Sequence, residues 1–326
     1  MKEMTYAEAL SLAVCEALEK DKRVTMINAS FGGLTPHRAS YNAIRQRFAD
    51  RITDTPIAEL AYCGIAVGAA MTGLRPIVTL STGAFAFEAW PQIVNEAAVA
   101  CYGSAGRVTC PVVFHLLTAI RGAGAVQHSH ATQAMLCQAP GLQVISPASP
   151  ADARGLMLTA ALESRNPTIF VDHQRLQGIK GMVDETVAKP IPFGVADVKR
   201  QGKDLTIVAV GIMVPRALEA AETLAREGIS AEVVDPRTLV PLDKASILAS
   251  VAKTGRVVVA DESQLTCGVA SELAAIIAEE GFRHLKAAVR RVAIPNVPIP
   301  YHLDEEDFVT PTTARVLDAA RMVLAG

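Results

Sequence analysis

Aromatic side chains are scarce in this chain. They make 5% of its 326 residues, with a single tryptophan, while hydrophobic residues of all kinds make 50%. A core of aliphatic and small side chains follows, ample for a folded protein and incompatible with disorder. An excess of one charge is missing as well: 31 Lys and Arg oppose 33 Asp and Glu, for a formal net charge of −2 and a pI near 6.4. With no basic run, the electrostatic footprint of a nucleic-acid binder is absent. Paired cysteine motifs are missing too. Cys15, Cys63, Cys101, Cys110, Cys137 and Cys267 form no C-x-x-C and stand at no zinc spacing to a histidine. They read as small apolar fillers in a reducing, cytoplasmic setting. The uncharged apolar stretch 60–74 has 15 residues, whereas a membrane-spanning helix needs about 20. The opening MKEMTYAEALSLAVCEALEKD is broken by Glu3, Glu8, Glu16 and Glu19 and does not read as a signal peptide. Neither G-x-G-x-x-G nor G-x-S-x-G occurs at the candidate loops.

What is present is alternation. Short apolar strands are expected at 24–28, 76–80, 111–117, 142–145 and 168–171, separated by helical patterns at 5–20, 56–73, 87–102 and 150–163. The alternation restarts with strands at 205–210, 230–234, 256–260 and 289–292 and helices at 215–227, 243–253, 268–280 and from 313. Strands alternating with helices imply parallel sheets and right-handed crossovers. The expected class is therefore α/β, with two doubly wound domains over 1–180 and 204–326 and a linker of mixed composition over 181–203. Ligands are expected beyond the carboxyl ends of the strands.

Three segments carry candidate chemistry. In DTPIAELAYCGIAVGAAMTGLRP, Thr55 as N-cap and Pro56 in the first turn predict a helix start. Glu59 would then lie about one turn inside a helix with no other charge until Arg75. Such a carboxylate needs a proton, a cation or a strong donor; a bland alternative is interaction with the helix dipole. AIRGAGAVQHSHAT follows a strand, and its glycines allow close backbone approach to a ligand. His128 and His130 there could move protons or orient a substrate, or be solvated. STGAFAFEAW brings Phe85, Phe87 and Trp90 together, as core or as one ring stacked on a planar ligand. Cys63, within a buried helix, is a poor nucleophile.

Taken together, these segments resemble the β subunit of the thiamine-diphosphate-dependent E1 component of 2-oxoacid dehydrogenase complexes, the family of pyruvate, branched-chain 2-oxoacid and acetoin dehydrogenases. The resemblance is carried by DTPIAELAYCGIAVGAAMTGLRPIV, PQIVNEAA, AVQHSH, PGLQVISPASPADARGL, NPTIF, EGISAEVVDPRTLVPLD, KTGRVVVADES and VPIPY, which cover almost the whole chain. It implies a transketolase-like pyrimidine-binding domain followed by the family's C-terminal α/β domain. It also implies oxidative decarboxylation of a 2-oxoacid with acyl transfer to a lipoyl group. Glu59 matches the glutamate that hydrogen-bonds N1′ of the cofactor's aminopyrimidine, and Phe85 the aromatic packed on that ring. His128 matches the histidine near the substrate and the incoming lipoyl group. Backbone carbonyls of Val113, Ala161, Ser164 and Asn166 match a structural K+ site.

The GDG motif through which the family holds the diphosphate and Mg2+ does not occur here. The resemblance therefore implies a partner α subunit, an α2β2 heterotetramer and docking to a lipoyl acyltransferase (E2) core. Ile27-Asn28-Ala29 stands where the family usually has an acidic residue, followed by SFGGLTPHRAS, and GAFAFEAW alters the usual run around Phe85. Two alternatives stay open. One is half of a split transketolase-like ketol transferase, for which Arg121 would serve a sugar phosphate. The other is a structural or regulatory subunit that keeps the fold without the chemistry.

Overall fold

The computed structural model describes residues 1–28, 38–118, 120 and 122–326, with residues 38–41 described by backbone alone. Arg121 and most of SFGGLTPHRAS lie outside the described residues. The chain divides into two compact units: residues 1–118 with 136–193, and 194–326 with 119–135.

In the first unit the strands are β1 (Lys2–Thr5), β2 (Val24–Ile27), β3 (Ile52–Thr53), β4 (Arg75–Thr82), β5 (Val113–Leu117), β6 (Gln143–Ile145), β7 (Thr168–Asp172) and β8 (Lys180–Val183). β6, β7, β5, β4, β2 and β3 lie side by side in that order, and every pairing among them is parallel. β1 and β8 form a separate antiparallel pair that periodicity did not suggest. β7 is buried at every position, as a strand covered on both faces must be. Helix Tyr6–Lys20 is started by a reciprocal cap: Thr5 Oγ1 accepts the Glu8 N–H, and the Glu8 carboxylate accepts the Thr5 N–H. It packs on helix Pro150–Leu158, and its Ala9, Ala13 and Ala17 are all fully buried. The pair is tied by Arg154 and Glu16 at 2.7 Å.

The order places a topological switch between β2 and β4. The chain leaves β2 for β3 on one side, and leaves β4 for β5 on the other. A crevice opens outside the carboxyl ends of two such strands, where ligands of open α/β sheets bind.

The second unit holds β9 (Asp197–Arg200), β10 (Leu205–Ala209), β11 (Ala231–Asp235), β12 (Thr238–Val240), β13 (Val257–Gln264) and β14 (Arg290–Ile294). The sheet order is β14-β13-β10-β11-β9, parallel except for β9 at the edge. Helix Met213–Arg226 packs with Thr313–Ala325, and Lys244–Thr254 with Val269–Glu280; both pairs also pack on β10 or its neighbours. The fold is thus a two-domain α/β architecture, as the alternation predicts. No helix among the described residues is long and apolar enough to cross a membrane.

Candidate functional site

Glu59 is the first residue of helix Glu59–Met71, not a residue one turn inside it. Residues 54–58 are not helical, and Ala58 caps the helix without a side-chain bond. The Thr55 hydroxyl, read from the sequence as the cap, instead donates to Asn28 Oδ1 at 3.5 Å, the long limit of such a bond. A hydroxyl turned toward the end of β2 cannot also serve the helix. Glu59 therefore sits in the first turn, where the positive end of the helix dipole also favours a carboxylate.

Glu59 is half-buried, and among the described residues no ion pair engages it. One turn on, Tyr62 is 1% exposed. The Glu59 carboxylate and the Asn28 side chain lie near its hydroxyl. Burial first, and then the negative charge of Glu59, hold this phenol far above its ordinary range. The same two causes push up the Cys63 thiol, so no thiolate is available there. Asn28 ends β2 with φ 53, a left-handed conformation that Asn tolerates better than most residues. Its Nδ2 donates to the Thr79 carbonyl of β4 at 2.8 Å, spanning the two strands that flank the switch point.

Phe85 reaches the same strand end by a different device. Pairing of β4 with β5 slips between Thr79 and Thr82, and Ser81 has φ 69. Such an irregularity re-aims the chain leaving a strand. The single turn Gly83–Ala86 follows and carries Phe85 half-buried. Phe87 and Trp90 have ring centroids 6.5 Å apart, and Phe87 is 38% exposed. The helix expected over 87–102 is present in pieces: a π-helix over Pro91–Ala97 and a short α-helix over Ala100–Gly103.

His128 belongs to the second unit. Segment 119–135 lies within that unit although its sequence neighbours on both sides lie in the first. Helix Ala125–His128 is one turn long, with His128 exposed and His130 half-buried. Beneath them Ser129, Thr132 and Gln133 are buried. Ser129 Oγ, Thr132 Oγ1 and Gln133 Oε1 have no hydrogen-bond partner among the described residues. The segment is tied down by carboxylates from elsewhere in the unit. Ile120 N–H donates to Glu262 Oε1 at 3.0 Å, Ala123 N–H to Glu306 Oε2 at 2.9 Å, and Gln133 Nε2 to Asp261 Oδ1 at 3.3 Å.

Comparison with known proteins bears on both units. The family described as "Transketolase, pyrimidine binding domain" matches residues 2–178, and "Transketolase, C-terminal domain" matches residues 194–316. The pyruvate dehydrogenase E1 component subunit beta of Rickettsia felis is 38% identical over 98% of both chains. The 2-oxoisovalerate dehydrogenase subunit beta of Bacillus subtilis is 40% identical over 92% of both. The chain belongs to the E1 β-subunit family. The beta subunit of acetoin:2,6-dichlorophenolindophenol oxidoreductase from Cupriavidus necator is 43% identical over 85% of this chain and 81% of that protein. Among solved structures, a split-gene transketolase described as an inactive beta4 tetramer superposes with a TM-score of 0.80 at 27% identity. It covers 99% of this chain and 98% of that one.

In this E1 β chain two of the four carbonyls read as a K+ site, those of Ala161 and Ser164, accept hydrogen bonds from Arg75. Arg75, 7% exposed at the start of β4, donates through Nε to the Ala161 carbonyl at 2.5 Å and through Nη2 to the Ser164 carbonyl at 2.7 Å. The Asn166 carbonyl accepts the Ser164 hydroxyl at 2.9 Å, and Val113 lies in β5 between β4 and β7. A K+ bound by carbonyls needs them in place of its hydration shell, and here a guanidinium already sits at the end of helix 150–163. Burial, with the charge of Arg23, draws that guanidinium below its ordinary pKa, and Asp21 opposes them. Among the described residues, no group of three or more His, Cys, Asp or Glu side chains is gathered to hold a metal ion.

Sequence reasoning missed Tyr62, Arg75 and the carboxylate anchors Glu262 and Glu306. Arg75 had a visible signal, a lone cation opening an otherwise apolar strand. The anchors had none, because their partners are 142 and 183 residues away.

Proposed function

We propose that this chain is the β half of a thiamine-diphosphate-dependent E1 enzyme that decarboxylates a 2-oxoacid and passes the acyl group to a lipoyl group. It acts only with an α subunit. The observation that carries this reading is Glu59: a half-buried carboxylate without an ion pair among the described residues, in a chain of the E1 β family. It opens the helix that joins β3 to β4, beside the switch point. The groups at these strand ends fit an aminopyrimidine ring, with one carboxylate to meet a ring nitrogen and one aromatic side chain to pack on the ring face. When bound, thiamine diphosphate supplies the electron sink for cleaving the bond to the carboxyl carbon. Glu59 holds the proton at N1′ of the pyrimidine, and the buried Tyr62 one turn on backs its carboxylate. Phe85 packs on the ring, and His128 handles the substrate and the lipoyl group.

The diphosphate and Mg2+ fall to the α subunit in an α2β2 assembly that docks on a lipoyl acyltransferase core in the cytoplasm. A covering partner also suits the outer face of helix Glu59–Met71, where Leu60 and Ile65 are 52% and 56% exposed with Ile57 at 89% just before them. Ketol transfer by a split transketolase is the second reading, favoured by the likeness to the split-gene transketolase over nearly the whole chain.

The test uses the assembly co-purified with its α subunit. Thiamine diphosphate and Mg2+ should bind saturably by calorimetry, and Glu59→Gln should cut 2-oxoacid turnover at least about 10²-fold. Absence of binding by a folded assembly would sink the reading and leave the non-catalytic subunit standing. Turnover of sugar phosphates with none of 2-oxoacids would select ketol transfer.

A further inference from the structure

The segment that carries His128 is held in an unfavourable shape. Ala123 has φ 53 and Ala125 φ 58, on either side of Gly124 and immediately before or at the start of the His128 helix. A left-handed alanine costs free energy that an unconstrained loop would relieve by turning elsewhere. Such residues persist where the surroundings over-determine them, and they gather at functional sites.

The surroundings here are three buried carboxylates of the same unit. Asp261, Glu262 and Glu306 are 1%, 2% and 0% exposed. Glu306, on helix Leu303–Val309, accepts the N–H of strained Ala123 itself. Glu262, near the carboxyl end of β13, accepts the N–H of Ile120, whose side chain is sealed among Ile294, Ile299 and Val309. Asp261 takes the amide of Gln133 on the far side of His128. Glu262 is itself fixed by Arg216 at 2.6 Å, and Arg216 also donates to the Pro311 carbonyl at 2.9 Å. A hydrogen bond from N–H to an ionised carboxylate is stronger than one to a neutral acceptor. The segment is thus clasped before and after His128.

We propose that Glu306 and Glu262 are positioning residues for His128: they fix Ile120 and Ala123 so that the strained course into the Ala125–His128 helix presents the histidine to the reacting groups. This rests on the role assigned to His128 in the proposed function. Their part is to hold the chain, with no proton transfer of their own.

The experiment uses the intact α/β assembly. Glu306→Ala should speed backbone amide exchange over residues 120–128 by about tenfold or more, with β10 unaffected. It should lower kcat by about 10- to 100-fold while thiamine diphosphate binding stays unchanged. Glu306→Gln, whose amide oxygen can still accept the Ala123 N–H, should recover most of both. Should Glu306→Ala fail to fold, Glu306→Asp, whose shorter side chain withdraws the carboxylate from the Ala123 N–H, carries the same two readouts. In a His128→Ala background the loss caused by Glu306→Ala should vanish, because the histidine it positions is gone.

Unchanged exchange in both variants would overturn the proposal, as would faster exchange at full turnover. A turnover loss that persists undiminished in the His128→Ala background would overturn it too. Wild-type turnover of His128→Ala by itself would instead strike the role of His128, and the proposal with it. The exchange data separate that outcome from a segment that the carboxylates never held.

Discussion

In the second unit three carboxylates, Asp261 and Glu262 on β13 and Glu306 on helix Leu303–Val309, are buried and engaged by protein donors. At the carboxyl ends of β2 to β4 in the first unit, Glu59 is half-buried, and no ion pair engages it among the described residues. Glu262 takes a main-chain N–H and a guanidinium. Asp261 takes Gln133 and the Ser263 hydroxyl, and Glu306 takes a main-chain N–H. The difference separates two uses of the same functional group. Oxygens filled by the protein hold the chain, whereas oxygens left with capacity are available to a ligand. The donors around each set distinguish them.

The largest effect expected from this contrast is on stability. Glu262→Ala leaves the Arg216 guanidinium buried without its carboxylate and the Ile120 N–H unmet, and should cost about 3–5 kcal/mol, read as a lower urea midpoint. Glu59→Gln should move the same midpoint by no more than about 0.5 kcal/mol, its effect falling on turnover instead. A loss at Glu59 as large as that at Glu262 would erase the distinction between holding and ligand-directed carboxylates.

Asp261 gives a second, pH-dependent test. Burial, opposed by its hydrogen bonds and aided by the charge of Glu262, pushes its carboxyl up from 3.8 to about 6. Between those values the folded chain keeps a proton that the unfolded chain has released, so this group lowers stability as pH rises, and the cost is complete above about pH 6. Asp261→Asn removes the titration while keeping an oxygen for Gln133 and Ser263. Its stability relative to wild type should climb from pH 4 to pH 6 and stay level above, by about 2–3 kcal/mol in all. A difference that is flat with pH would show that Asp261 is no more costly to ionise than an exposed acid.

The smallest effect concerns strain. Ala123→Gly makes φ 53 easy for the residue itself and should raise the midpoint by about 0.5–1 kcal/mol. A loss instead would mean that the alanine conformation is not what the Glu306 contact works against.

Much of this was legible in the residues. Alternating apolar runs and helical periodicities place nearly every parallel strand within one to four residues of its position, because burial on both faces leaves a dense local pattern. β1, β3, β8, β9 and β12 escaped because they are strands of at most four residues without such runs. Glu59 stood out as the one charge on an apolar helix. The start of that helix was misplaced, since Thr55 has the chemistry of a cap but directs its hydroxyl to Asn28.

The sequence by itself therefore determined the α/β alternation, the candidate carboxylate and the family resemblance, all of which depend on residue types and short-range spacing. Only the tertiary structure decided that residues 119–135 lie with the second unit, that Arg75 closes the carbonyls of Ala161 and Ser164, and that Glu262 and Glu306 hold the His128 segment. The reason is physical. Each of these contacts joins groups between 86 and 183 residues apart, and a buried donor takes whichever acceptor the fold brings to it, which local periodicity does not encode.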